Sequence, residues 1–134
     1  MKKKRGVTPA STLVALAREA RLLAYAPYSK FLVGAALLST DGRIFVGCNV
    51  ENASYGATIC AERTALVKAV SEGCREFAAI AVVTARRPPV TPCGMCRQVL
   101  AEFAPDLDVH LASTSGAHTT TSLATLLPRS FRLR

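Results

Sequence analysis

Charged residues are scarce in this chain. Asp, Glu, Lys and Arg make up 19% of its 134 residues, half of the residues are hydrophobic, and the mean hydropathy is +0.26. A small soluble monomer has a large surface for its volume and should carry more charge than this. A membrane segment or a buried subunit interface could absorb the excess. No stretch of about 18 uncharged apolar residues is present, which argues against a transmembrane helix. Homo-oligomerisation is the expectation that remains. Repeats, low-complexity tracts and linkers rich in Pro or Gly are also missing. The length suits one compact domain that buries a core without disulfide staples.

Acidic residues are few, 9 against 17 basic ones, giving a net charge of +8. Location weakens the nucleic-acid reading of that number. Four basic residues lie in the opening "MKKKR" and three in the closing "RSFRLR", and without the first five residues the balance is only +4. A basic tail can bind nucleic acid or act as an address. The favoured reading is a solvated, disordered leader over residues 1–7, followed by a single domain over 8–134. Nor does the leader open a signal peptide, because Arg18, Glu19 and Arg21 interrupt the apolar stretch behind it. A cytoplasmic location, where thiols stay reduced, is expected. Five cysteines in that setting point towards metal or catalysis rather than disulfides.

Thr8-Pro9 reads as an N-cap and a first helical position, and Leu13, Leu16, Ala17, Ala20, Leu23 and Ala24 recur at the helical period until Pro27. "FLVGAALLS" and "IFVGCNV" flank "TDGR" as a hairpin. After the polar loop "VENASYGAT", a helix is predicted from near Cys60 to Gly73, then a buried strand "FAAIAVVT". A second helix follows from Gly94 to about Phe103, then a strand in "LDVHLAS" and a helical turn in "SLATLL". Helices alternating with strands argue for parallel pairing through helical crossovers. The fold expected is α/β, a three-layer α/β/α sandwich around a mixed sheet of about five strands.

Cys93 and Cys96 in "TPCGMCRQ" form a C-x-x-C pair, which alone separates poorly between zinc, redox and packing roles. Helical periodicity narrows the choice. Cys96 lies three, four and seven residues before Val99, Leu100 and Phe103, and so faces inward. Glu62 stands in the same relation to Ala65, Leu66 and Ala69. An inward carboxylate is costly unless it is paired or serves chemistry, although at a helix start it can also be a dipole-favouring Glu. Two parallel crossover helices on one side of a sheet bring their N-termini together, so Cys60, Cys93 and Cys96 converge. Three thiolates without a fourth Cys or His at ligand spacing match a zinc site with an open position.

"C-A-E" followed by "P-C-x-x-C" resembles the cysteine version of the zinc nucleoside-deaminase signature. "YSKFLVGAAL", "GCNVENASYG", "TICAERTA", "TPCGMCRQVLAEF" and "LLPRSF" extend the resemblance, in order, across nearly the whole chain after Gly6. They resemble the small homotetrameric cytidine deaminases. The resemblance implies one Zn²⁺ per chain on Cys60, Cys93 and Cys96, with Glu62 as proton shuttle. It implies hydrolytic deamination of cytidine and deoxycytidine to uridine and deoxyuridine, with release of ammonia, in pyrimidine salvage. Arg63 matches an arginine that donates to the cysteine sulfurs, and Arg97 and Gln98 have weaker claims to supporting roles. Asn49 and Glu51 match residues that hold the ribose hydroxyls, Phe31 one that packs on the nucleoside, and Ala61 one that offers its backbone to the base. Ala53, Tyr55 and Phe131 match positions that reach a neighbouring subunit's pocket. The partners implied are a nucleoside and further copies of the chain, with neither membrane nor nucleic acid.

Three other readings compete. A nucleoside-antibiotic deaminase of the blasticidin type should lack the "NVENAS" ribose grip, which is present. A nucleic-acid-editing deaminase could use the basic leader but usually presents His before A-E. A non-catalytic zinc-stabilised nucleic-acid-binding module accounts for the charge and the cysteines but gives inward Glu62 no purpose.

Overall fold

A computed structural model describes residues 8–133. The expected leader, residues 1–7, lies outside the described residues. In chain order the elements are helix α1 (Ala10–Arg21), strands β1 (Gly34–Ser39) and β2 (Ile44–Cys48), a short 3-10 turn (Tyr55–Ala57), helix α2 (Ala61–Ser71), strand β3 (Phe77–Thr84), helix α3 (Gly94–Phe103), strands β4 (Asp108–Ser113) and β5 (His118–Ser122), and a last turn α4 (Leu123–Leu126). The sheet order is β2-β1-β3-β4-β5. Only β3 and β4 run parallel, joined through α3 as the helix–strand alternation requires, while the other pairs are antiparallel. The five-stranded mixed sheet matches the expectation.

β3 explains why the molecule has three layers. Its side chains alternate between two separate cores. Ile80 and Val82 join Ala65, Leu66, Ala69, Leu100 and Leu111 under α2 and α3. Ala79, Ala81 and Val83 join Leu13, Val14 and Ala17 under α1. Two glycines let the helices come this close. A Cβ on Gly34 would lie 2.0 Å from the Ala17 carbonyl oxygen of α1, and one on Gly47 would lie 2.6 Å from the Ala65 nitrogen of α2.

Three boundaries differ from the sequence reading. Pro9, not Thr8, occupies the N-cap of α1, because its extended ψ of 148° leaves its carbonyl to accept from Thr12 and Leu13. The same helix stops at Arg21, six residues ahead of Pro27. The chain turns away there because Tyr25 docks between Asn49 and Glu51, its N–H donating to the Asn49 carbonyl and its own carbonyl accepting from Glu51. β5, "HTTTS", has no counterpart in the sequence reading. It is an edge strand with no apolar face, so its sequence lacks the alternation that marks a strand. Among the described residues no helix is long and apolar enough to cross a membrane.

Candidate active site

α2 and α3 lie side by side on one face of the sheet, and their N-termini meet. Cys60 is the N-cap of α2 and Cys93 the N-cap of α3, while Cys96 sits one turn into α3. The Sγ atoms of Cys60 and Cys93 are 3.9 Å apart, those of Cys93 and Cys96 are 3.4 Å apart, and all three lie within 4.8 Å of one another. Zinc bound at 2.3 Å with tetrahedral angles requires sulfurs roughly 3.8 Å apart. The residues present therefore fit zinc. Cys96 is buried, Cys60 half-buried and Cys93 exposed, so the trio closes on the protein side and opens on the other.

Cys60 and Cys96 are driven in opposite directions. The Cys60 thiol falls to about 5, first because Cys96 hydrogen-bonds it, and further through Arg63 and Cys93. The same bond, together with burial, pushes Cys96 well above the ordinary thiol range. Arg63 lies over Cys60, its Nη2 3.7 Å from Sγ and 3.5 Å from the Thr58 carbonyl oxygen. Its Nε is buried and has no partner among the described residues. A guanidinium here offsets the charge that three thiolates bring together.

Glu62 is 5% exposed on the core side of α2, and its carboxyl reaches only its own backbone N–H. Burial pushes its carboxyl up to about 7. It helps line a cavity of about 220 Å³ together with Cys60, Cys93, Ala61, Phe31, Asn49 and Glu51. Seven residues expected at the site from sequence thus share one cavity.

Asn49 and Glu51 also hold its wall together. Asn49 accepts from the Val33 N–H at 2.9 Å through Oδ1 and donates to the Phe31 carbonyl at 2.8 Å through Nδ2. Glu51 accepts from the backbone N–H groups of Tyr28 and Ser29 at 2.9 and 3.1 Å, and from the Ser29 hydroxyl. The Ser29 hydroxyl leads the contacts that hold the Glu51 carboxyl below its ordinary range.

The sequence model for the cytidine and deoxycytidylate deaminase zinc-binding region matches residues 8–111, a span that includes the three cysteines and Glu62. The chain belongs to this family. Over 120 residues it is 54% identical to the cytidine deaminase of Sporosarcina psychrophila, covering 89% of this chain and 88% of that one. It is likewise 54% identical over 120 residues to the cytidine deaminase of Halalkalibacterium halodurans, covering 89% and 91%. Among solved structures, the cytidine deaminase of Burkholderia pseudomallei superposes with a TM-score of 0.90 at 53% identity, covering 92% of this chain and all of that one.

Other family-matched residues of this deaminase lie away from the cavity lining. Ala53 is exposed, as is Tyr55, which packs edge-on against Tyr28 at 6.1 Å. The Phe131 ring is 67% exposed. Gln98 anchors that residue's main chain, donating from Nε2 to its carbonyl and accepting its N–H at Oε1, both at 3.0 Å. Arg97 ties Pro92 and Thr91 to α4, donating to the Pro92 and Leu126 carbonyls and to the Thr91 hydroxyl.

Sequence reasoning passed over Ser29, Thr84 and Arg86. Ser29 and Thr84 line the cavity, and Arg86 stacks over Phe31. Ser29 lies inside the matched block "YSKFLVGAAL", a signal that could have found it. Thr84 ends an apolar run and Arg86 lies in the charged loop "ARRPPV", where nothing local marks either one.

Proposed function

We propose that this chain is a zinc-dependent cytidine deaminase that hydrolyses cytidine and deoxycytidine to uridine and deoxyuridine, releasing ammonia, in pyrimidine salvage. The observation that carries the reading is buried Glu62, with no ion-pair partner among the described residues, beside a three-thiol cluster in one cavity. Cys60, Cys93 and Cys96 would hold the zinc ion. When bound, zinc supplies a Lewis acid that brings the pKa of a water to about 7. Glu62 takes a proton from the attacking water and delivers it to pyrimidine N3 as the water oxygen bonds to C4. It then moves the proton of the new C4 hydroxyl to the amine as the C4–N bond breaks, so that ammonia leaves and the oxygen remains as the C4 carbonyl of a uracil base. A carboxyl lifted to about 7 can both accept and release a proton at neutral pH.

The cavity walls suit a nucleoside. Ala61 is fully buried on the wall and offers backbone groups to the base. Asn49 and Glu51 stand two apart, and each has hydrogen-bonding capacity left for ribose hydroxyls after its contacts to the 28–33 segment. Phe31 supplies an apolar face. A carboxylate at Glu51 repels a phosphate continuing from the ribose, which favours free nucleosides over polynucleotides.

The assembly belongs to the same proposal. The exposed rings of Tyr55 and Phe131, with Ala53 nearby in sequence, serve a neighbouring copy's pocket in a homotetramer. Thiolate ligands require a reducing compartment, which supports the cytoplasm.

The test is ammonia release and loss of cytosine absorbance by the zinc-loaded protein on cytidine, deoxycytidine, cytosine and CMP. Turnover of the two nucleosides well above that of cytosine and CMP is expected. No turnover of either nucleoside rules the reading out.

A further inference from the structure

Phe31 is held on three sides, and only one of its restraints comes from outside the family-matched blocks. Its N–H donates to the Ser29 hydroxyl at 3.0 Å and its carbonyl accepts from Asn49 Nδ2 at 2.8 Å, so its main chain is fixed on both sides of the side chain. The freedom that remains is rotation of the ring about its side-chain torsions. Against that ring stands Arg86, its guanidinium carbon 5.6 Å from the ring centroid. Arg86 is exposed and makes no ion pair among the described residues. Its main chain is aimed, however, because its N–H donates to the hydroxyl of Thr84 at 3.1 Å. Thr84 is 2% exposed and lines the same cavity as Phe31. Both partners of the stack are thus anchored to the cavity wall, one through Asn49 and Ser29, the other through Thr84.

We infer that Arg86 is a positioning residue for substrate binding, acting through Phe31 rather than on the reacting atoms. The guanidinium stands over the ring at cation–π distance and limits the orientations it samples, so the wall that meets the nucleoside is already in place when substrate arrives. An ammonium carries the same charge but is a compact, strongly hydrated point without a planar face. Lysine should therefore restore the restraint only in part. The inference rests on the nucleoside-deaminase reading, since it assigns Phe31 to substrate binding.

The experiment is steady-state cytidine deamination by the zinc-loaded full chain, comparing wild type, R86A, R86K, F31L and the double variant R86A/F31L. R86A is expected to raise KM roughly two- to fivefold, the range an exposed cation–π contact supplies. Its kcat should stay within about twofold and its zinc content should match wild type, since Arg86 touches neither Glu62 nor a cysteine. R86K should fall between the two, and R86A should add nothing further in the F31L background. An unchanged KM in R86A overturns the inference, as does the same KM rise with Phe31 already replaced. Wild-type protein without cytidine turnover overturns the function reading and this inference with it. Wild-type turnover with an indifferent R86A overturns this inference alone.

Discussion

Lys30 stands between Ser29 and Phe31 with φ at +64°, a left-handed conformation that non-glycine residues seldom adopt. The Glu51 and Asn49 contacts on either side fix the chain in that shape, which turns Phe31 into the cavity. Lys30→Gly relieves about 1–2 kcal/mol of left-handed strain, offset by about 0.5–1 kcal/mol of extra freedom in the unfolded chain. The expected result is a change between none and about 1.5 kcal/mol of stabilisation in denaturant unfolding, and a clear loss contradicts it. Glu62 makes a pH-dependent case. Its carboxyl moves from 4.5 to about 7 on burial, so between those values the native protein keeps a proton that the unfolded chain has released. Stability of the metal-free protein then falls as pH rises through that window, by on the order of 3 kcal/mol. Thermal unfolding of metal-free wild type and Glu62→Gln should therefore agree near pH 4 and favour the glutamine form at pH 8. An equal difference at both pH values contradicts the shift. The inward aspects of Glu62 and Cys96 were legible in the sequence because each depends on neighbours within two helical turns. The bracing by Asn49 was not, because its partner Phe31 is eighteen residues away and meets it only in the folded chain.

At the scale of elements, α3 does more than carry two cysteines. Its successive residues Arg97 and Gln98 fasten the C-terminal segment at Leu126 and at Phe131. The helix that carries two cysteines of the cluster thereby also sets where the last aromatic ring is presented. Gln98→Ala should free Phe131 while sparing the zinc ligands. A lost aromatic contact amounts to about 0.5–1.5 kcal/mol beyond its buried area, hence a several-fold rise in KM with zinc content unchanged. Deleting residues from Ser130 onward should give the same rise, and the two changes together no more than either one. Additive effects would show that Gln98 acts elsewhere. α2, α3 and β3 were readable because periodicity, glycine and proline punctuate them. The end of α1 and the existence of β5 were not, since tertiary pairing decides the first and an exposed edge strand carries no apolar pattern.

For the whole molecule, low charge content remains the strongest sequence sign of assembly. The surface adds Leu22, Leu23, Tyr25, Tyr28, Val50 and Tyr55 as exposed large apolar side chains. These residues lie on the α1–β1 loop and the 49–55 segment, which composition cannot locate and which only the folded chain brings together, through the contacts of Tyr25 with Asn49 and Glu51. Sedimentation of the zinc-loaded protein is expected to give four copies of the chain, and a fully active monomer contradicts the shared-pocket reading.

The proposed catalysis turns on Glu62 moving protons beside a metal it does not bind. Its direct test measures zinc content and cytidine turnover of wild type and Glu62→Gln in parallel. The expected result is one zinc per chain in both, with turnover in the variant reduced by more than the roughly 10²–10⁴-fold typical of a single acid–base group, since Glu62 serves several steps. A variant that retains turnover within about tenfold of wild type contradicts the assignment.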